Sequence, residues 1–237
     1  MRYKEDMPNL LLFRGSPRSD IERVEQENPK LPCDKLIIRY MDEFNAYEKA
    51  RNFFLEHQEY DYLVLATDDI VVKPEHVIQL ESDLTLKNYE VLSGIMNVDQ
   101  PEYMKPEGRL NITYSLALKD KKLRSYEWMC RRDLPEINIF QVKFSGFPLM
   151  AIRRDVVEST HFSADGVFKG HAVNMGASLD FVFCWFCHEN NIPIFVDKRI
   201  DMEHLRGEGV LKNGLMSSKI ELMGKDGNSY RVSKDEL

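Results

Sequence analysis

The first hundred residues alternate between short apolar runs and longer segments whose apolar residues recur at helical spacing. The runs are too short for helices, so we predict strands buried on both faces at residues 9–13, 35–40, 62–66 and 89–95. Between them we predict helices at residues 21–28, 46–57 and 74–87. This alternation predicts an α/β fold, with a doubly wound, mostly parallel central sheet flanked by helices.

The alternation of apolar runs and helical segments ends after residue 97. Residues 110–118 and 123–128 are predicted to form a small hairpin insertion across residues 119–122. The later predicted elements are two apolar runs within residues 140–152, helices at 154–158 and 180–190, and a strand at 192–196. The tail from residue 206 is rich in Gly and Lys and is predicted to be a loop or a weakly packed extension. No linker divides the chain, so we expect residues 1–237 to form a single domain.

Two adjacent acids, Asp68 and Asp69, come directly after the apolar run that ends at Ala66 and the following Thr67. Ligands of open α/β sheets bind beyond the carboxyl ends of the strands, where these acids are expected to lie. Carboxylate oxygens suit Mg²⁺ or Mn²⁺ and, through the metal, the phosphates of a substrate. Alternatively, one of the two acids is only the cap of the helix that begins near Pro74.

Composition narrows the possible partners. The formal net charge of −7 argues against a nucleic-acid groove, which would need a basic surplus. No apolar run reaches the length of a transmembrane segment, and the first residues lack the apolar core of a signal peptide, so we expect a cytoplasmic protein with reduced cysteines. Cys184 and Cys187 lie within an apolar helix and are predicted to be core residues, the alternative being a zinc site with His188.

Arginines follow the first two predicted strands. Arg14 is placed to contact a nucleotide base or ribose from the first strand, and Arg39 from the second. A surface ion pair is the alternative for each. Asp180 follows Ser178 at the start of a predicted apolar helix, where a capping role is equally compatible with its position.

The order and spacing of these parts resemble a glycosyltransferase of the GT-A fold, and most closely the inverting enzymes of family 2. The triplet Thr67-Asp68-Asp69 resembles the DxD-like motif of that family, with Thr67 in place of the first acid. The segment 144–156, with its Arg153-Arg154-Asp155 turn, resembles the glycine-containing strand on the acceptor side. The resemblance covers residues 8–206.

The resemblance also implies roles for single residues. Asp69 would bind the metal with help from Asp68, and His204 would complete the metal site. Asp180 would be the catalytic base, although Leu179 replaces the Glu that usually precedes it. Asn45 resembles part of a pattern that precedes the acidic strand and is expected to contact the nucleotide.

The activity implied is metal-dependent transfer of a sugar, with inversion, from a nucleotide-diphosphate sugar to the hydroxyl of a carbohydrate, lipid-linked or protein-linked glycan acceptor. Residues 1–97 would bind the nucleotide sugar, residues 98–206 the acceptor, and residues 207–237 would be a tail or lid. Two alternatives remain. One is a nucleotidyltransferase acting on a sugar phosphate, and the other is a catalytically inactive nucleotide-binding protein of the same fold, for which Thr67 and Leu179 are the indications.

Overall fold

The computed structural model of the protein describes residues 7–16, 30–67, 70–98, 111–112, 114–115, 118–120, 125–126, 134–160, 162, 179–204, 219–225 and 229–231. The predicted helix at residues 21–28 lies outside the described residues, as do Asp68 and Asp69.

The described elements follow the chain in this order. The strands are β1 (Leu10–Ser16), β2 (Asp34–Arg39), β3 (Tyr62–Leu65), β4 (Ile70–Val71), β5 (Val91–Val98), β6 (Asn111–Ile112), β7 (Tyr114–Ser115), β8 (Leu118–Asp120), β9 (Ser125–Tyr126), β10 (Ile139–Val142), β11 (Phe144–Ser145), β12 (Met150–Arg153), β13 (Ile194–His204), β14 (Lys219–Met223) and β15 (Ser229–Arg231). The helices are α1 (Glu43–Glu56), α2 (Pro74–Leu86), α3 (Arg154–Ser159) and α4 (Leu179–Glu189).

The centre of the main sheet has the strand order β2-β1-β3-β12-β5-β13. Strands β1, β2 and β3 are mutually parallel, and β5 is parallel to β13. Strand β12 lies between β3 and β5 and runs antiparallel to both, so β5 has the direction of β3. All of these strands except β12 therefore share one direction, and the predicted GT-A-like, mostly parallel α/β sheet is confirmed.

Both faces of the sheet are buried, because neighbouring residues of the central strands point into different apolar clusters. Leu11 and Phe13 of β1 belong to a cluster with the apolar residues of α1, α3 and α4. Leu10 and Leu12 belong to a second cluster with the apolar residues of α2. Helices thus cover both faces, which explains why the strands are continuous apolar runs rather than alternating ones.

The hairpin insertion is also present. Strands β8 and β9 pair antiparallel, so a hairpin forms in this region, but β8 includes residues 119 and 120, which the sequence pattern assigns to the turn. The longer strand predicted at residues 110–118 is divided instead, since β6 pairs with β5 and β7 pairs with β11. Backbone partners on two different strands account for that division, which the apolar pattern does not reveal.

The expectation of a loop in the tail is wrong for residues 219–223 and 229–231. Strand β14 pairs antiparallel with β2 along its whole length, and β15 pairs with β14. Leu222 packs against the core. Without β14, the backbone groups on the outer edge of β2 would have no hydrogen-bond partners. The need to satisfy them favours a strand here, even though the glycines nearby favour a loop. The other residues of the tail, and hence the predicted lid, lie outside the described residues.

Candidate functional site

The carboxyl ends of β1, β2, β3, β5 and β13 lie at one edge of the sheet. Strand β12, which runs the other way, begins at the same edge, with Met150 opposite Leu65 of β3 and Ser93 of β5. Because ligands of open α/β sheets bind beyond this edge, it is the candidate site. Arg39 and His204 are the last residues of β2 and β13, so their backbones end at this edge.

Arg14 of β1 is buried beneath the turn that follows β3, with only 2% of its surface exposed. Its Nη1 donates hydrogen bonds to the carbonyl oxygen of Ile70 at 2.9 Å and to that of Thr67 at 3.4 Å. These carbonyls flank Asp68 and Asp69 in the sequence, so the guanidinium joins the two ends of the acidic turn. The nucleotide contact predicted for Arg14 remains a prediction, and the described geometry adds a role in shaping that turn.

Thr67 begins the acidic turn, and its backbone N–H donates to the carbonyl oxygen of Phe147 at 3.1 Å. Its hydroxyl oxygen is buried and has no hydrogen-bond partner among the residues that the structure describes. A buried hydroxyl without a partner is unusual in proteins. It stands where the resembling family has its first acid.

A short ladder between β4 and β13 brings the late histidine to the acidic turn. In this antiparallel pair His204 lies opposite Ile70, and Glu203 lies opposite Val71. Ile70 is bonded to Asp69, so the backbone of His204 lies beside the residue that follows the acids. The side chain of His204 lies outside the described part of the chain.

The apolar pattern predicts that this last strand ends at residue 196, whereas β13 continues to His204. The missed signal is the apolar run Ile70-Val71-Val72, which resumes directly after the acids and whose residues are all buried. Such a run marks a further strand, but its partner is more than a hundred residues away.

Asp180 lies half-buried in the first turn of α4, where its Oδ1 accepts a hydrogen bond from the N–H of Phe181 at 2.8 Å. The helix is docked through Cys184, whose Sγ donates to the carbonyl oxygen of Ser145 at 3.1 Å. Two residues further along, Phe147 accepts the bond from Thr67. The segment 145–147 therefore connects the helix of Asp180 to the acidic turn.

The two cysteines of α4 are buried, free thiols, which confirms that they are core residues. Burial raises the pKa of the Cys184 thiol far above its usual range, and it also raises that of Cys187. Thiols held neutral in this way are poor metal ligands. Within the described residues, no group of three or more His, Cys, Asp or Glu side chains is arranged to hold a metal ion.

Asn45 and Arg39 lie near the carboxyl end of β2. Asn45 is exposed, and its Nδ2 donates to the carboxylate of Asp42 at 2.6 Å, while the same carboxylate caps the first turn of α1. Arg39 is half-buried as the last residue of β2, opposite Ser16 and Lys219. The nucleotide contacts predicted for these two residues stay predictions, and Asn45 has a local role in addition.

No helix in the described part of the chain is long and apolar enough to cross a membrane.

No family model and no curated protein matches this sequence. Among solved structures, the chain is similar to the crystal structure of A197 from STIV, with a TM-score of 0.52 and 16% sequence identity over 95% of each chain. It is also similar to the inositol-1-phosphate CTP transferase from T. maritima, with a TM-score of 0.37 and 11% identity over 96% of this chain and 71% of that chain. The first similarity shows a shared fold alone, and the second is too weak to carry an argument.

Proposed function

We propose that the protein is a metal-dependent transferase that moves a sugar, with inversion, from a nucleotide-diphosphate sugar to an acceptor hydroxyl. The observation that carries the proposal is the ladder between β4 and β13. It brings the backbone of His204, a residue remote in sequence, beside the residue that follows the acid pair. The bond from Arg14 to Ile70 draws the same turn against the carboxyl edge of the sheet.

The residues fit a divalent cation by their chemistry. Asp69, with Asp68 and His204, would offer carboxylate and imidazole ligands, a set compatible with Mn²⁺ and, through the carboxylates, with Mg²⁺. A cation bound there would act as a Lewis acid for the negative charge that develops on a diphosphate leaving group.

Asp180 would accept the proton of the acceptor hydroxyl. The first turn of a helix is a favourable place for a carboxylate, and the bond from the N–H of Phe181 holds one carboxylate oxygen in position. General-base catalysis of this kind contributes about 10²–10⁴-fold to rate.

The proposed donor-binding and acceptor-binding regions follow one another along the chain. Residues 1–97 would bind the nucleotide sugar, with Arg14, Arg39 and Asn45 at or near its base and ribose, and residues 98–206 would bind a carbohydrate, lipid-linked or protein-linked glycan acceptor. Within residues 207–237, β14 and β15 form a hairpin at the edge of the sheet. The rest of this segment would serve as a tail or lid. We propose a cytoplasmic location.

A non-catalytic nucleotide-binding protein is the second candidate, and two observations favour it. Thr67 buries a hydroxyl that no described residue satisfies, where the resembling family has an acid. Leu179, which replaces the usual Glu before the catalytic base, is fully buried and hence serves the core. A nucleotidyltransferase acting on a sugar phosphate is a further alternative, because it would use a similar acidic metal site.

The first test is a thermal-shift measurement with UDP, GDP, dTDP and CDP, each with and without Mn²⁺. Saturation at about a hundredfold over Kd stabilises a protein by about 2.7 kcal/mol, enough for a clear shift. We expect one nucleotide to give a shift that requires the metal, disappears in Asp69→Asn and is weakened in His204→Gln. Glu203→Gln, the exposed neighbour of His204 on β13, is the matched control and should keep the shift. No shift with any nucleotide would overturn the proposal.

Turnover separates the three candidates. With the matching sugar nucleotide, a glycosyltransferase releases the nucleoside diphosphate and forms a linkage of inverted configuration, whereas a nucleotidyltransferase given a nucleoside triphosphate and a sugar phosphate releases pyrophosphate. We expect Asp180→Asn to lower kcat by about 10²–10⁴-fold while the nucleotide-induced thermal shift is kept. Binding without either product would favour the non-catalytic protein.

A further inference from the structure

A large bulge in β13 separates its two stretches of pairing with β5. Residues 194–196 pair with residues 91–93, and pairing resumes with Asp201 opposite Ile95. Residues 197–200 therefore face the single residue Gly94. A Cβ atom on Gly94 would lie 2.6 Å from the carbonyl oxygen of Ile200, so the bulge closes directly over this glycine.

The bulge is held by two buried carboxyl groups and one partly exposed guanidinium. Asp197 is fully buried in the bulge, and Asp83 of α2 is 4% exposed. The Nη2 atom of Arg199 lies 2.8 Å from a carboxylate oxygen of each, and its Nε donates to Asp197 at 2.9 Å. This cluster, which we call the bulge latch, ties β13 to α2.

The bulge latch lies between the body of β13 and its last four residues, 201–204. Those residues pair with the end of β5 and with β4, and they include His204 opposite Ile70. Whatever fixes the bulge therefore also fixes the position of this strand end.

The charges of the bulge latch do not balance when all three groups are ionised. Two carboxylates and one guanidinium leave one net negative charge in a buried position, and buried charges without a partner are strongly unfavourable. A single proton shared between Asp83 and Asp197 removes this charge and allows the two carboxyl groups to bond to each other.

The pKa values of Asp83 and of the nearby Tyr89 are both raised. Burial, together with the adjoining Asp197 carboxyl, raises the pKa of Asp83 to about 6, against smaller opposing effects of Gln79 and Arg199. Burial and the two acids also raise the pKa of the Tyr89 phenol, which packs beneath Lys87.

We propose that Asp83, Asp197 and Arg199 are positioning residues that act as a proton-operated latch. With one shared proton the latch holds the bulge, and with it residues 201–204 against β4 and β5. When the proton is lost, repulsion between the carboxylates loosens the bulge and the strand end. The proposal requires neither a metal nor a nucleotide.

The test is amide hydrogen exchange of residues 201–204 and 70–72, without metal or nucleotide, expressed as protection factors at about pH 5 and pH 7.5. In the wild type we expect protection to fall by roughly tenfold at the higher pH, an order of magnitude set by the shift in the pKa of Asp83. Asp83→Asn mimics the protonated carboxyl, because its amide can donate to Asp197 and accept from Arg199. Its protection should stay high and vary little with pH.

Two further variants control for other causes. Asp155→Asn removes an exposed carboxylate of α3 and should keep the wild-type pH profile. Burial lowers the pKa of His76, near the start of α2, but this residue is present in every variant, so its contribution cancels. Asp197→Asn should lose protection at both pH values, since Arg199 uses both carboxylate oxygens of Asp197 and an amide offers only one acceptor oxygen.

The same pH profile in Asp83→Asn and the wild type would overturn the proposal. If Asp83→Asn does not fold, the wild type still decides the matter through the carbon-13 shift of the Asp83 carboxyl. A transition near pH 6 supports the latch, and a transition near the ordinary value of about 4 overturns it. Neither outcome depends on nucleotide binding, so failure of the latch and failure of the proposed function are distinguishable.

Discussion

Two arginines of the protein stabilise buried groups in different ways. Arg14 is itself buried, and its described hydrogen bonds reach backbone carbonyls of the acidic turn. The side chain of Arg199 is 39% exposed, and the groups it binds are the buried carboxyls of Asp83 and Asp197. Carbonyl oxygens do not titrate and an arginine stays charged, so these two hydrogen bonds of Arg14 do not depend on pH. The cluster around Arg199 changes its charge near neutrality, because its buried groups are acids.

The largest effect is expected from Arg14→Met, which keeps the bulk of the side chain and removes its donors. The buried carbonyl oxygen of Ile70 and the partly buried one of Thr67 then lose charged hydrogen bonds, and the free energy of unfolding should fall by about 4 kcal/mol. Arg14→Lys keeps a charge that reaches fewer acceptors and should lose less. Urea denaturation at two pH values measures both variants. A loss below about 1 kcal/mol for Arg14→Met would contradict the role given to this residue.

Gly94→Ala tests how tightly the bulge closes. The added Cβ would meet the carbonyl oxygen of Ile200 at 2.6 Å, and forcing an atom into a packed core lowers the free energy of unfolding by about 2–3 kcal/mol. The nearest atom belongs to the backbone, and Ile200→Ala removes only the Cγ2 contact, so in the Ile200→Ala background Gly94→Ala should still lower the free energy of unfolding. No further loss in that background, measured by denaturation, would show that the side chain alone limits the space.

The pH dependence of stability should reveal the titration of the bulge latch. The pKa of Asp83 is raised to about 6 in the folded protein, above its unfolded value, so its stabilising contribution is complete below about pH 4 and is lost as pH rises through 6. Relative to Asp83→Asn, the wild type should lose about 2 kcal/mol between about pH 4 and pH 7.5. Parallel curves for the wild type and Asp83→Asn would refute this account.

The smallest effect is expected at a surface pair that resembles the bulge latch only in its residue types. Arg153 donates to both carboxylate oxygens of Asp155 at 2.7 Å, and this holds the pKa of Asp155 below its usual range. The stabilisation is therefore present above the unfolded pKa and is lost as pH falls through the folded one. Solvent screens the pair because Asp155 is 57% exposed, so Asp155→Asn should change the free energy of unfolding by about 0.5 kcal/mol. A loss above about 2 kcal/mol would mean that this ion pair stabilises the protein more than its solvent exposure indicates.

Much of the fold can be read from local patterns. The runs that become β1, β2 and β3 are apolar over their length because helices cover both faces of the sheet. The start of α2 is marked by Pro74, which suits the first turn of a helix, and the hairpin of β8 and β9 follows from polar residues between two short runs. Each of these features depends on residues close together in the chain.

The candidate site is predictable only in part. The sequence points to the carboxyl end of β3 because two acids there have no role in packing, and it points to Asp180 and His204 through a resemblance. It does not reveal that Arg14 is buried beneath the acidic turn, since a strand that ends in arginine is equally compatible with an exposed side chain. Nor does it reveal the partner of β4, because a run as short as Ile70-Val71 pairs with whichever strand end the fold presents.

By itself, the sequence determined the α/β class, the elements of the central sheet and the position of the acids at a strand end. These depend on the burial of apolar runs, which is a local property of the chain. Only the tertiary structure decided the bulge of β13, the pairing of His204 with Ile70 and the joining of β14 to β2. Each of these satisfies backbone or charged groups with partners far away in the sequence, and such partners exist only once the sheet has formed.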